Sequence, residues 1–225
     1  MERIEQFSTI APDIGRIFRF ISIGTAMPLA VVVIYREWDM ILPMASVPAV
    51  LFLLGTFLTR IPRRDREPHL STALMSVALI WLVCALASAL PFTLGLGVPY
   101  LDGVFEAMSG WTDTGMTMMR SVEDLPRTLL FWRSLMQWLG GIGIVAFTVA
   151  MASRTGLTQF HLYRSEGRSE ALMPSVVATG LEMWKIYLAL TGASVGLILL
   201  SGVSPWDAVN IALTAISTGG FSVRS

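Results

Sequence analysis

One cysteine, two histidines and little charge are the scarcities that bound this chain. Cys84 stands alone inside an apolar run, which excludes an intramolecular disulfide and offers no metal-ligand spacing, so packing is its expected role. His69 and His161 fall in separate polar segments without a ligand partner at a diagnostic distance, and read as solvated loop residues. Only 14% of the residues are charged, and 16 basic side chains balance 16 acidic ones, so no net positive field argues for nucleic acid. There is no nucleophile elbow, phosphate loop or dinucleotide fingerprint. The chain therefore reads as a non-enzyme with no cofactor of its own. Its acidic, polar start, MERIEQF, is also unlike an ordinary secretory signal.

What is abundant is apolar surface. Hydrophobic residues make up 54% of the chain, and they gather into runs at 17–35, 40–59, 73–94, 129–151 and 183–200. Each is near the roughly 20 residues a helix needs to cross a bilayer's hydrocarbon. The expectation is an all-α integral membrane protein of five crossings, in contact with membrane lipids. Only REWD separates the first two runs, so they should form a tight antiparallel hairpin, with Pro43 and Pro48 in the early turns of the second helix.

The arginines orient the path. Arg3, Arg16 and Arg19 lie at the N-terminus, Arg60, Arg63, Arg64 and Arg66 follow the second run, and Arg154, Arg164 and Arg168 follow the fourth. By the positive-inside rule these segments, N-terminus included, are cytoplasmic. The stretches 101–127 and 205–225 then face outward.

Those two outward stretches read alike. LDGVFEAMSGWTDTGMT and PWDAVNIALTAISTGGFS align at an offset of 105 residues, pairing Asp102 with Asp207, Val104 with Val209, Ala107 with Ala212 and Gly115 with Gly220. From Leu101 to Trp111 there is room for only about three helical turns, too short to span. A short half-polar helix ending in a hydroxyl-and-glycine turn suits a re-entrant pore helix and ion filter. Irregular backbone at membrane depth is tolerated where its carbonyls meet water or ions, and glycine lets successive carbonyls point one way. Such a row of oxygens, with the negative end of a short helix aimed at it, suits a hard monovalent cation.

At these residues a family resemblance becomes specific. FEAMSGWTDTGMT, FWRSLMQWLGGIGIVAF, LYRSEG and ISTGGFS resemble the first pore loop, following helix, cytoplasmic loop and second pore loop of the TrkH/TrkG subunits of Trk potassium uptake systems. The likeness covers nearly the whole chain, and the extra N-terminal hairpin is closer to TrkH than to the shorter KtrB branch. It implies four helix–pore loop–helix units around one potassium path. Here it makes Asp113, Thr114, Gly115 and Met116 the first filter strand and Thr218, Gly219, Gly220 and Phe221 the second, with K+ held by backbone carbonyls only. Thr112, Ser217 and Glu106 become filter supports. The resemblance also implies a homodimer, a cytosolic nucleotide-binding TrkA-type regulator and an inner (plasma) membrane location.

The expected organisation is a hairpin and basic loop (1–70), a first helix–pore loop–helix unit (71–152), a cytoplasmic connector (153–180) and a truncated second unit (181–225). The chain stops four residues beyond Phe221, so an incomplete subunit is expected. A split subunit needing a separate C-terminal half, or a nonconducting assembly protein, are the alternatives. The first filter commonly has threonine where this chain has Asp113, which bears on sodium discrimination.

Several residues carry two readings. Asp113 either faces the ion path or braces its loop. Glu106 either holds the pore helix through hydrogen bonds or touches the ion. Gly140, Gly141 and Gly143 either allow close helix packing or form a gating bend. Asp102 and Asp207 are expected to cap their helices, and Arg133 to snorkel or pair with an outer acid. The segment 161–170 reads as a regulator-facing loop or a generic connector.

Overall fold

The computed structural model describes residues 2–62, 70–155 and 176–224, with the side chains of 2–7, 70–71, 73, 145–155 and 176–179 left aside. Arg63, Arg64, Arg66, His69, His161 and the 161–170 segment lie outside the described residues, as does the side chain of Arg154. Within them the chain is helical, with no strand. In order come α1 (Glu2–Gly24), α2 (Pro28–Tyr35), a 3-10 turn (Trp38–Met40), α3 (Ile41–Thr59), α4 (Leu70–Ser88) and α5 (Leu90–Leu96). These are followed by α6 (Tyr100–Trp111), α7 (Arg127–Thr155), α8 (Val176–Leu200) and α9 (Pro205–Ser217).

Four helical stretches among the described residues are long and apolar enough to cross a membrane: Ser8–Tyr35, Trp38–Thr59, Leu74–Leu96 and Gly180–Leu200. The sequence suggests five. The fifth expected run, 129–151, falls within the 29-residue α7, and its end lies beyond the described side chains. Its first half carries Arg127, Arg133 and Gln137, and there Leu129, Trp132, Arg133, Leu135, Met136 and Gln137 are all fully buried. A helix walled by other helices need not be apolar all round. The first crossing also begins earlier than the apolar run, because a helix passes through Asp13 and Arg16 without breaking, the two forming an i,i+3 ion pair at 3.2 Å.

Prolines mark the joints. Pro28 opens α2 after a short turn and Pro91 opens α5, each where a missing N–H costs least. The hairpin of α1 and α3 is tight because Gly15 and Gly55 face each other: a Cβ on Gly15 would stand 2.6 Å from the Gly55 carbonyl oxygen, and one on Gly55 2.7 Å from that of Gly15. Small residues at a crossing let backbones approach where no hydrophobic force drives helices together.

One apolar core runs from Phe18, Met44 and Leu51 of this hairpin through Phe92 and Trp111 to Trp132 and Met136 of α7. α7 is its axis, packing on α2, α6, α8 and α9. The hairpin's tip reaches α7 directly. Glu37 accepts from the backbone N–H groups of Arg127 (2.8 Å) and Thr128 (2.9 Å) and from the Thr128 hydroxyl (2.6 Å). A carboxylate from another element thus satisfies the first donors of α7, whose N-terminus would otherwise leave them unpaired.

Candidate functional site

The two repeated segments fold as a matched pair. Each short helix, α6 and α9, ends with the same backbone manoeuvre. The Asp113 N–H donates to the Gly110 carbonyl (3.3 Å) and the Thr114 N–H to that of Ser109 (3.0 Å); correspondingly, Thr218 donates to Ala215 (3.1 Å) and Gly219 to Thr214 (2.9 Å). This is the Schellman arrangement, which needs a left-handed residue just past the helix. Asp113 (φ 53°) and Thr218 (φ 59°) are that residue, and Gly115 (φ 75°) and Gly220 (φ 85°) are left-handed again two positions on. All four bonds and all four φ values obey the 105-residue offset.

The loops then meet backbone to backbone. A Cβ on Gly115 would lie 2.5 Å from the Gly219 carbonyl oxygen and 3.2 Å from the Gly220 Cα. A side chain at Gly115 is thus excluded twice, by its φ and by its neighbour.

Glu106, on α6, is completely buried and holds the first loop: it accepts from the Thr117 hydroxyl (3.0 Å) and the Met118 N–H (2.8 Å). Its charge is met by Arg133 of α7, whose Nε donates at 2.7 Å, both side chains being sealed from solvent. Arg133 then reaches both loops. Nη2 donates to the Thr117 hydroxyl (3.2 Å), Nη1 to the Ser222 carbonyl (3.0 Å), and the guanidinium sits 4.2 Å from the centre of the Phe221 ring. One turn further along α7, Gln137 donates to the Gly219 carbonyl and accepts from the Phe221 N–H (3.1 Å). Residues four apart on a helix share a face, so a single stripe of α7 grips the second loop.

Glycines set how closely α7 approaches. A Cβ on Gly140 would collide with the Trp111 backbone at the end of α6, and one on Gly141 would stand 2.8 Å from the Ser217 Cβ at the end of α9. At Gly143 the nearest atom would be a Trp81 ring carbon at an ordinary 3.6 Å. α7 continues as helix through all three. Around this junction Trp81 donates to the Trp111 carbonyl (2.8 Å), Trp111 to the Ser88 hydroxyl (2.9 Å) and Tyr187 to the Trp138 carbonyl (3.0 Å).

The remaining expected residues fall as follows. Thr112 donates to the Met108 carbonyl (2.7 Å) and its hydroxyl lies 2.7 Å from that of Thr114. The Asp113 side chain is half-buried, and its Oδ1 is buried with no hydrogen-bond partner among the described residues, while the Ser217 hydroxyl donates to the Thr214 carbonyl (3.2 Å). Met116 is exposed, whereas Phe221, its counterpart, is buried. One expectation is corrected. Neither Asp102 nor Asp207 is the cap: Pro99 precedes α6 without a side-chain cap, and at α9 the Ser204 hydroxyl accepts from the Asp207 N–H while the Asp207 carboxylate pairs with Arg224. Arg133 follows the second of its two readings, pairing with the acid Glu106 of the 101–127 stretch at 2% exposure rather than snorkelling. A serine one residue before a helix-opening proline outcompetes an acid in the first turn, because its φ and ψ suit the cap position.

Gln137 and Glu37 escape sequence reading. For Gln137 a signal exists: it is an uncharged but strongly polar side chain inside an apolar run, one helical turn from Arg133, and intramembrane polar groups are seldom idle.

The geometry now stands beside what is known of other chains. The family model for TrkH, described as cation transport protein, matches residues 49–225. The chain belongs to the TrkH family. An uncharacterised cation transporter of Methanocaldococcus jannaschii is 38% identical over 213 residues, covering 94% of this chain and 44% of that protein. The Trk system potassium uptake protein TrkH of Vibrio parahaemolyticus is 31% identical, covering 97% of this chain and 46% of that protein. The crystal structure of the potassium transporter TrkH from the same organism matches with a TM-score of 0.82 at 29% identity, over 97% of this chain and 45% of that one. This TrkH-family chain thus spans under half the length of the curated relatives it matches. Its all-helical fold is that of a membrane transporter.

Proposed function

We propose that this chain contributes the first two filter strands of a Trk-type potassium path, with Asp113 to Met116 and Thr218 to Phe221 presenting backbone carbonyls to the ion. The observation that carries the reading is the matched pair of loops. Two segments 105 residues apart leave their helices by the same bonds, turn left-handed at the same two positions and touch through glycine backbone. Repeated, side-chain-free backbone geometry is what a ring of carbonyl ligands needs. The names of the relatives, which include potassium uptake proteins, agree with it.

In this reading units 71–152 and 181–225 are two of four around the path, and the rest of the ring comes from chain beyond the part described. Gly140, Gly141 and Gly143 serve packing rather than a bend, since the first two sit against the ends of both short helices. The Gly219 carbonyl is already engaged by Gln137, so its second lone pair is the one available to an ion. Asp113 braces its loop through its left-handed backbone and its bond to Gly110, and its carbonyl does the coordinating. The protein performs no covalent chemistry: ions move passively, in the inner membrane, with the N-terminus cytoplasmic. A dimeric assembly and a TrkA-type nucleotide-binding regulator complete the system, as the family resemblance implies.

The test is rubidium uptake in potassium-uptake-deficient cells making this chain together with the C-terminal remainder of a Trk-type subunit. Uptake that needs both parts supports the reading. Verified insertion and assembly without uptake would favour a nonconducting role.

A further inference from the structure

Arg133 and Gln137 stand outside the expected filter, yet their contacts are distributed in a telling way. Arg133 donates to Thr117 in the first loop and to Ser222 in the second. Those two residues are equivalents under the 105-residue offset. One guanidinium therefore ties corresponding positions of neighbouring strands, and its fixed fork of donors sets their separation. Glu106 fixes the guanidinium in turn through Nε and holds Thr117 and Met118 with its two oxygens. Gln137 does for orientation what Arg133 does for spacing. Its amide fixes the Gly219 carbonyl and the Phe221 N–H, which lie on either side of the left-handed Gly220. A strand that turns its carbonyls to one side must find partners for its buried N–H groups elsewhere. Gln137 of α7 supplies one for the Phe221 N–H, and Glu106 of α6 one for the Met118 N–H.

We infer that Arg133 and Gln137 are specificity-determining positioning residues: the closing helix of the first unit sets the spacing and carbonyl orientation of the second filter strand, and with it the preference for potassium over sodium. The inference rests on the potassium-path reading. Neither residue touches the ion. They act through Thr117, Ser222, Gly219 and Phe221, and the chain's second unit borrows its filter geometry from the first.

The readout is the ratio of potassium to sodium transport, measured by competition against rubidium uptake in cells making this chain with the C-terminal remainder of a Trk-type subunit, and normalised to inserted protein. Gln137→Met keeps the side chain's length and removes both hydrogen bonds; Arg133→Lys keeps the charge and loses the fork. Each is expected to lower the potassium preference roughly five- to tenfold, the effect of one or two lost hydrogen bonds, while rubidium uptake persists. Gln137→Glu, which retains an acceptor for the Phe221 N–H but no donor for Gly219, should fall between Met and the parent. Unchanged selectivity in Gln137→Met and Arg133→Lys, with uptake intact, overturns the inference. If Arg133→Lys does not accumulate, Gln137→Met, which leaves the buried charge pair alone, decides by the same ratio. A parent without rubidium uptake overturns the potassium reading itself, and is told apart because no variant is then needed.

Discussion

Asp113 and Thr218 occupy the same left-handed backbone conformation, at φ 53° and 59°, within two residues of the end of their short helices. An aspartate tolerates this conformation better than a β-branched threonine, since its short polar side chain bonds locally and leaves Cβ unbranched. The acid that distinguishes the first loop therefore suits the backbone it sits on. Asp113→Val should destabilise the detergent-purified protein by about 1–2 kcal/mol, whereas Asp113→Gly should cost less. Thermal unfolding of the two variants side by side tests this; equal losses would mean that the φ constraint is not what places an aspartate there.

The Glu106–Arg133 pair is buried on both sides. Removing one partner strands the other charge away from water, which costs about 3–5 kcal/mol. Glu106→Ala and Arg133→Ala should each lower stability by that order, and the double variant should lose much less than the sum. A double-mutant cycle reports the coupling directly. Additive losses would show that the two side chains are independent despite their 2.7 Å contact.

Gly140 and Gly143 separate packing from bending. With the Trp111 backbone in the way, Gly140→Ala should destabilise by about 1–3 kcal/mol, the scale of overpacking a filled core. Gly143→Ala meets only a ring edge at 3.6 Å and should be near neutral or slightly favourable in a helix. A flexible gate would give the opposite pattern, with both alanines stable and both slowing rubidium uptake.

Much of this was legible in the chain. The short helices, their offset and their glycines can be read because each is local, encoded within a dozen residues. Two further supports cannot, because they are made across 82 to 91 residues: Gln137 to Gly219, and Glu37 to Thr128. Nothing in the local pattern around Glu37 distinguishes a helix cap for a distant element from a solvated loop acid. The buried Arg133 and Gln137 of α7 are of the same kind, compensated by groups that sequence order does not bring near.

The tertiary cap makes its own forecast. Glu37→Ala removes three hydrogen bonds at the start of α7 and should cost about 1–2 kcal/mol, at the upper end for a lost cap. Glu37→Gln retains acceptors and should recover part of it. Hydrogen exchange at Arg127 and Thr128 is the local readout, with protection falling in Glu37→Ala; unchanged protection would mean the hairpin tip does not hold α7.

The most direct test of the account is to locate the ion. Anomalous diffraction from crystals of the assembled transporter grown in rubidium should show density flanked by the backbone carbonyls of Asp113 to Met116 and of Thr218 to Phe221, lost in Gly115→Ala, whose Cβ would strike the Gly219 carbonyl. Rubidium bound elsewhere, or density unaffected by Gly115→Ala, would contradict the assignment of these two loops as filter strands.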